Sequence, residues 1–175
     1  MNQVLKYHRL HTDVPEISFA SEQSACFDLR AHFPPNATRI EGYDVNSMRI
    51  ATPVIKDSEG RFTTVVHPGE RMMIPTGIVF DIPVGYSVRI HARSGLALKA
   101  GLIMANSEGV IDSDYTEETK IIVLNISSIP IKINHGDRIA QAEMVPVLQY
   151  NLVPTTEIIS QKTSRAGGFG STGIS

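Results

Sequence analysis

The feature that most limits what this chain can become is the cutting of its apolar residues into short runs. Val and Ile gather in segments a few residues long, and Gly, Pro, Asn and Asp separate them. Such runs cover Arg71 to Ile82, Tyr86 to His91, Lys120 to Ile126, Ile129 to Ile133 and Arg138 to Leu148. β-Branched side chains suit a pleated surface, and the separating residues suit turns. Pro75, Pro83, Pro130 and Pro146 fit strand starts, edges or bends, because proline cannot donate to a ladder. Only Ser94 to Ala100 predicts a helix, with Ser94 at its start and Gly101 closing it. The expectation is an all-β sandwich or barrel. A length of 175 residues suits one domain with its own core.

Composition narrows the function classes. A net charge of −2 predicts no broad basic surface, so neither direct nucleic-acid binding nor membrane attachment is expected. No apolar run approaches the length of a membrane span. Met1 to Leu10 lacks a basic stretch followed by an apolar one, which predicts no secretory leader. Cys26 is the only cysteine, so an intrachain disulfide is impossible and a reducing, cytoplasmic setting is expected. The histidines (His8, His11, His32, His67, His91, His135) are scattered, which predicts packing or surface roles and no zinc set.

Three segments stand out from the even pattern. Ile121-Ile122-Val123-Leu124 is apolar on both faces of a strand, so its second face needs a partner subunit or a second sheet of the same chain. Residues 40–66 look like an insertion, with Val45 to Lys56 and Arg61 to Val66 pairing as a hairpin through Asp57-Ser58-Glu59-Gly60. The plain expectation for it is a solvent-exposed extra hairpin, the sharper one a partner-binding or bracing arm. From Ser164 onward the chain is rich in Gly and Ser, as in a flexible arm. Within that arm Arg165 offers a forked phosphate donor and Phe169 a stacking ring, with Ser171 and Thr172 nearby. Such an arm can close over a nucleotide as a lid.

Chemistry concentrates in Gly109-Val110-Ile111-Asp112-Ser113-Asp114-Tyr115. Val110 and Ile111 are expected to anchor a short strand, placing Asp112 and Asp114 on one face by two-residue alternation. An acid beside an aromatic ring can hold a flat polar substrate; an Asp-rich turn is the plain alternative. Asn106 lies six residues before Asp112, on the expected other arm of a hairpin, and its amide can pair with a donor and an acceptor. Arg93-Ser94-Gly95 precedes the helix, where free amides and an adjacent guanidinium favour anions; an ordinary N-cap by Ser94 is the alternative. Gln141 could donate to a phosphate or sit at a strand edge, and Asp137 and Arg138 are expected to be structural. Asp28 lies in strand-like Phe27-Asp28-Leu29 and needs a partner if buried.

Five segments carry a resemblance. In order they are Ser24 to Ala31, Ala92 to Ala97, Gly109 to Tyr115, Gly136 to Gln141, and Arg165 to Gly173. Together they resemble the five motifs of the trimeric dUTP pyrophosphatase (dUTPase) family, over most of the chain. The resemblance implies a jelly-roll-like β-barrel over residues 1–163 with a glycine-rich arm over 164–175 closing on the nucleotide. It implies hydrolysis of dUTP to dUMP and pyrophosphate, and a homotrimer whose sites are shared between chains. Asp112 is then the base that activates water. Arg93, Ser94, Gly95, Gln141, Arg165, Ser171 and Thr172 serve the phosphates. Asn106, Gly109, Ile111, Tyr115 and Phe169 serve uracil and deoxyribose, and Asp28 reaches a hydrated magnesium ion through water. The setting implied is the cytoplasm, or the host's if the source is viral.

Five departures from the family pattern accompany it. Ala92 stands in place of a common proline, Glu117 in place of a glycine two residues after Tyr115, Thr116 in place of a common Arg or polar residue, Ala166 in place of a common glycine, and the spacing from Arg165 to Phe169 is one residue short. Two other readings use the same residues: a dCTP deaminase-like enzyme, and a nucleotide-binding regulator acting through the inserted hairpin.

Overall fold

The computed structural model describes residues 3–160, 162 and 163. The chain opens with β1 (Lys6–Arg9), β2 (Phe27–Arg30), β3 (Arg39–Tyr43), β4 (Arg49–Pro53), β5 (Ile55–Lys56) and β6 (Phe62–Val66). It continues through β7 (Arg71–Pro75), β8 (Ile78–Asp81), β9 (Tyr86–Ala92), α1 (Ser94–Ala100), β10 (Leu102–Met104) and β11 (Glu108–Ile111). It closes with β12 (Lys120–Asn125), β13 (Ile131–Asn134) and β14 (Arg138–Pro146). The all-β expectation with one short helix holds.

Two sheets dominate. One has the order β10-β12-β7-β3-β4, the other β11-β9-β14-β2, and every pairing is antiparallel. A three-stranded sheet, β13-β6-β5, and the pair β1-β8 complete the shell. Sequential strands repeatedly join different sheets, as a jelly-roll-like fold requires. Alternation delivers the core: Met72 and Ile74, Ile121 and Val123, Val88 and Ile90, and Ala140 and Ala142 all point inward and are buried.

The long run Arg71 to Ile82 is two strands, not one. Gly77 breaks it with φ of 70°, and a Cβ there would run into the Val14 side chain. Thr76 Oγ1 donates to the Thr119 carbonyl at 2.6 Å, which pins the break to the loop before β12. On β12 the outward residue Ile122 is 39% exposed, so among the described residues no second sheet covers it.

The insertion is partly as expected. Asp57 to Gly60 does turn the chain, and Ile55 and Lys56 pair with Thr63 and Phe62. Val45 to Lys56 is not a single strand, however. Asp44 Oδ1 accepts from the Asn46 and Met48 amides, a local turn that separates β3 from β4. The segment is not wholly peripheral either. β3 pairs with β7, and β6 pairs with β13 while burying Thr63, Thr64 and Val66. The last strand ends at Pro146, and residues 148–160 run on without strand or helix.

Candidate active site

Antiparallel register builds the first half of the site. Gln141 on β14 lies opposite Asp28 on β2 and His91 on β9, so the three form one row on the outer face of their sheet. β9 then runs into Arg93, the residue that caps α1 with extended backbone and with no capping hydrogen bond from its side chain. Ser94 is therefore the first residue of the helix and not its cap. Gly101 closes α1 as expected, at φ of 71°.

Asp28 organises this corner. Its Oδ1 accepts from Arg93 Nε at 3.0 Å and its Oδ2 from Arg138 Nη1 at 3.1 Å. Arg93 Nη1 also donates to the Arg138 carbonyl at 2.9 Å. Gln141 Nε2 donates to the Ala92 carbonyl at 3.0 Å, which fixes its amide. Asp28, Arg93, Ser94, Gly95, Arg138 and Gln141 line one cavity of about 350 Å³ with Ser24, Ala25 and Cys26. Two guanidiniums against one carboxylate leave the cavity cationic, which suits a polyanion. A Cβ at Gly95 would meet nothing within 4 Å, so packing inside the chain does not demand glycine there. Sequence reasoning assigned Arg138 a structural part alone; it braces Asp28 and also faces the cavity.

The second half lies around Asp112. Asn106, Gly109, Ile111, Asp112 and Tyr115 line one pocket of about 230 Å³ together with Met104, Lys120 and Ile122. Its backbone differs from expectation in two ways. β10 pairs with β12 and β11 with β9, so Asn106 sits at a corner between sheets and not on a hairpin arm. Ser107 takes φ of 58° at that corner. The strand also stops at Ile111, and the Tyr115 amide donates to the Asp112 carbonyl at 3.2 Å. Asp112 and Asp114 thus lie in a turn, where strand alternation no longer applies. Val110 is 46% exposed and anchors nothing; buried Gly109 does the packing, where a Cβ would lie 3.1 Å from Ile90 Cβ.

Tyr115 is held from below by its hydroxyl, which donates to the Glu118 carbonyl at 3.2 Å. Burial first, then the carboxylates of Glu117 and Glu118, push its phenol above the ordinary range, so it stays neutral. Glu117 needs no left-handed backbone: among the described non-glycine residues only Ser47 and Ser107 have positive φ. The turn after Tyr115 therefore does without the glycine.

The two halves are far apart on one chain. Ile111 lies opposite Val88, so Asp112 falls level with the start of β9, whereas Ser94 follows its end. Seven residues of strand between those levels span on the order of 20 Å. Arg165, Phe169, Ser171 and Thr172 lie outside the described residues.

A larger cavity, about 720 Å³, opens on the outer face of the five-stranded sheet and is lined by Tyr43, Arg71, Met73 and Ile122 among others. Among the described residues two groups gather possible metal ligands: Asp13 with His32 and His135, and Cys26 with His91 and Glu143. Sequence spacing gave no sign of either, because strand pairing assembles both.

A family model described as dUTPase matches residues 61–173. The deoxyuridine 5'-triphosphate nucleotidohydrolase of Bdellovibrio bacteriovorus is 37% identical over 98% of this chain and 95% of its own length. The chain belongs to the dUTPase family. The enzyme of the same name from Wolbachia pipientis is 48% identical over 63% of this dUTPase chain and 73% of its own. Among solved structures, a mutant dUTPase of Staphylococcus bacteriophage 80alpha with dUpNHpp aligns at a TM-score of 0.73. It covers 99% of this chain and all of the phage chain, and at 20% identity it speaks to the fold. The family match begins at Arg61, so it takes in β6 to β14 and leaves β1 to β5 outside the matched residues.

Proposed function

We infer that this chain hydrolyses dUTP to dUMP and pyrophosphate, which removes a source of uracil in DNA and supplies dUMP for thymidylate synthesis. The observation that carries the reading is the pocket in which Asn106, Asp112 and Tyr115 converge. Asn106 and the neighbouring backbone pair with the uracil edge, and the neutral Tyr115 ring packs under deoxyribose. A site built to pair one base edge leaves buried polar groups unmatched by another, which can discriminate by roughly 10⁴–10⁵-fold. Asp112 accepts a proton from the water that attacks the α-phosphorus. Ser94, Gly95, Gln141 and Arg93 hold the phosphate chain and meet the charge that develops on pyrophosphate.

The substrate enters as its magnesium complex, and the ion supplies charge neutralisation on the triphosphate. The residues fit that mode. Asp28 already gives each oxygen to an arginine, so it is poorly placed to bind a bare ion. It keeps lone pairs for a metal-bound water, in line with magnesium's habit of retaining its hydration shell.

The working unit we propose is a homotrimer. An Asp112 that acts at the α-phosphorus cannot lie about 20 Å from the groups holding the phosphates. Bringing one chain's Asp112 pocket against another chain's cationic cavity removes the conflict. The apolar outer face at Met73 and Ile122 supports such packing. So do Leu148, Tyr150, Leu152 and Ile158, which a lone chain leaves exposed beyond β14. Arg165, Phe169, Ser171 and Thr172 then close over the nucleotide. The names of the relatives favour dUTP hydrolysis over deamination of dCTP.

The test is pyrophosphate release from dUTP, dCTP, dTTP and UTP with magnesium. Fast release from dUTP alone is expected. Release from none of them, or deamination of dCTP, would overturn the reading.

A further inference from the structure

On the outer face of the four-stranded sheet, one row along from Gln141, three side chains of different chemistry meet. Glu143 on β14 faces β9 at Arg89. Cys26 immediately precedes β2 and so continues the ladder beside Glu143. His91 comes across from β9, with Nε2 at 3.3 Å from Glu143 Oε1. One ligand atom from each of the three lies within 4.8 Å of the other two, and none of the residues is fully exposed. We propose that Cys26, His91 and Glu143 form a binding site for a thiophilic divalent transition metal, zinc being the natural candidate, with a fourth position open to the phosphate cavity.

Several independent features favour this. Sulfur, imidazole and carboxylate are the donor set of zinc, and three protein ligands with an open place make its usual solvent-accessible geometry. Ligand atoms around tetrahedral zinc stand about 3.5 Å apart, so small side-chain adjustments close the present triangle. All three residues sit on or beside paired strands, which keeps their Cα positions fixed. The ring's other nitrogen, Nδ1, faces Glu108 Oε1 at 3.8 Å, and Arg89 holds Glu108 at 3.0 Å. A ligating histidine backed by a carboxylate on its far nitrogen is the arrangement that orients metal-bound imidazoles. Cys26 also lines the phosphate cavity, which gives an ion a way in.

The other cluster does not share these features. His135 Nδ1 accepts the Phe33 amide at 3.1 Å, so the neutral ring carries its proton on Nε2, the nitrogen toward Asp13. No lone pair of His135 remains for a metal there. Asp13 and His32, joined at 3.0 Å, form a structural pair.

Cobalt titration of the full-length, chelator-stripped protein tests the proposal. Because Cys26 is the only cysteine, any thiolate-to-cobalt charge-transfer absorption reports on it alone. The band is expected to saturate at one cobalt per chain, to disappear on adding zinc, and to resist excess magnesium. Cys26→Ser should abolish it, and His91→Gln and Glu143→Gln should each weaken cobalt binding by at least about 10-fold. Circular dichroism and melting of the Gln variants, which keep size and polarity, check that they fold. Absence of the band in the native protein would overturn the proposal. So would a band whose affinity is unchanged in both Gln variants, which would make the thiol a lone ligand.

Discussion

In the proposed mechanism Asp28 and Asp112 divide the work at the level of single residues. Asp28 is an organiser: its two oxygens draw Arg93 and Arg138 to the rim of one cavity. Asp28→Asn keeps the shape and removes the charge, so both guanidiniums lose their common anchor. We predict a fall in kcat/KM for dUTP of about 10–100-fold, the scale of one charged hydrogen bond, with melting nearly unchanged. In the proposed mechanism Asp112 serves only the reaction. Asp112→Asn should lower kcat by about 10²–10⁴-fold while leaving the Kd for a non-hydrolysable dUTP analogue as it was. A matching loss of binding would move Asp112 from base to ligand. At this scale the sequence is legible where function is local. Asn106, Asp112 and Tyr115 lie within ten residues and do share a pocket. It is illegible where pairing over distance makes the contact, as with His91 and Glu143, 52 residues apart.

Elements depend on a few polar groups that tie strands together. Buried Asn125 ends β12, donating to the Val66 and Ile129 carbonyls at 2.9 and 2.8 Å and accepting from the Ser127 amide. Asn125→Ala strands those groups away from water, and a loss of at least about 2 kcal/mol is predicted in denaturant unfolding. The turn at Asp57 makes a pH prediction. Its carboxylate accepts from the Glu59 and Arg61 amides and from Lys132 on β13. The Arg61 amide foremost, with help from Lys132, holds its pKa well below the ordinary range. A depressed folded pKa stabilises above the unfolded value of about 3.9 and loses that contribution as pH falls further. Melting of Asp57→Asn should therefore show a shallower fall than the native chain below about pH 4, and parallel slopes would contradict the assignment. The turn was legible from Asp57 to Gly60, because the signal is one side chain capping its own loop. At Asp44–Met48 the sequence reading passed over a signal of the same kind, Asp44 capping its own loop through the Asn46 and Met48 amides. The break at Thr76–Gly77 was not legible, because it depends on Val14 beside Gly77, a partner the local pattern cannot show.

For the whole molecule, one barrel carries two candidate half-sites at opposite ends of β9. That separation follows from register, and register was invisible in the sequence even though both sets of residues were named from it. A trimer mass by light scattering is expected, and charging the outward apolar face with Met73→Glu should shift the chain toward monomer and cost activity in proportion. The most direct measurement uses two inactive chains. Asp112→Asn carries an intact phosphate cavity; Ser94→Ala with Gln141→Ala carries an intact base pocket. Each alone should release almost no pyrophosphate from dUTP. Co-expressed with different tags and purified as a mixed assembly, they should regain a substantial fraction of native turnover, because some sites join the two intact halves. A mixed assembly as inactive as its parents would contradict a dUTP site shared between chains.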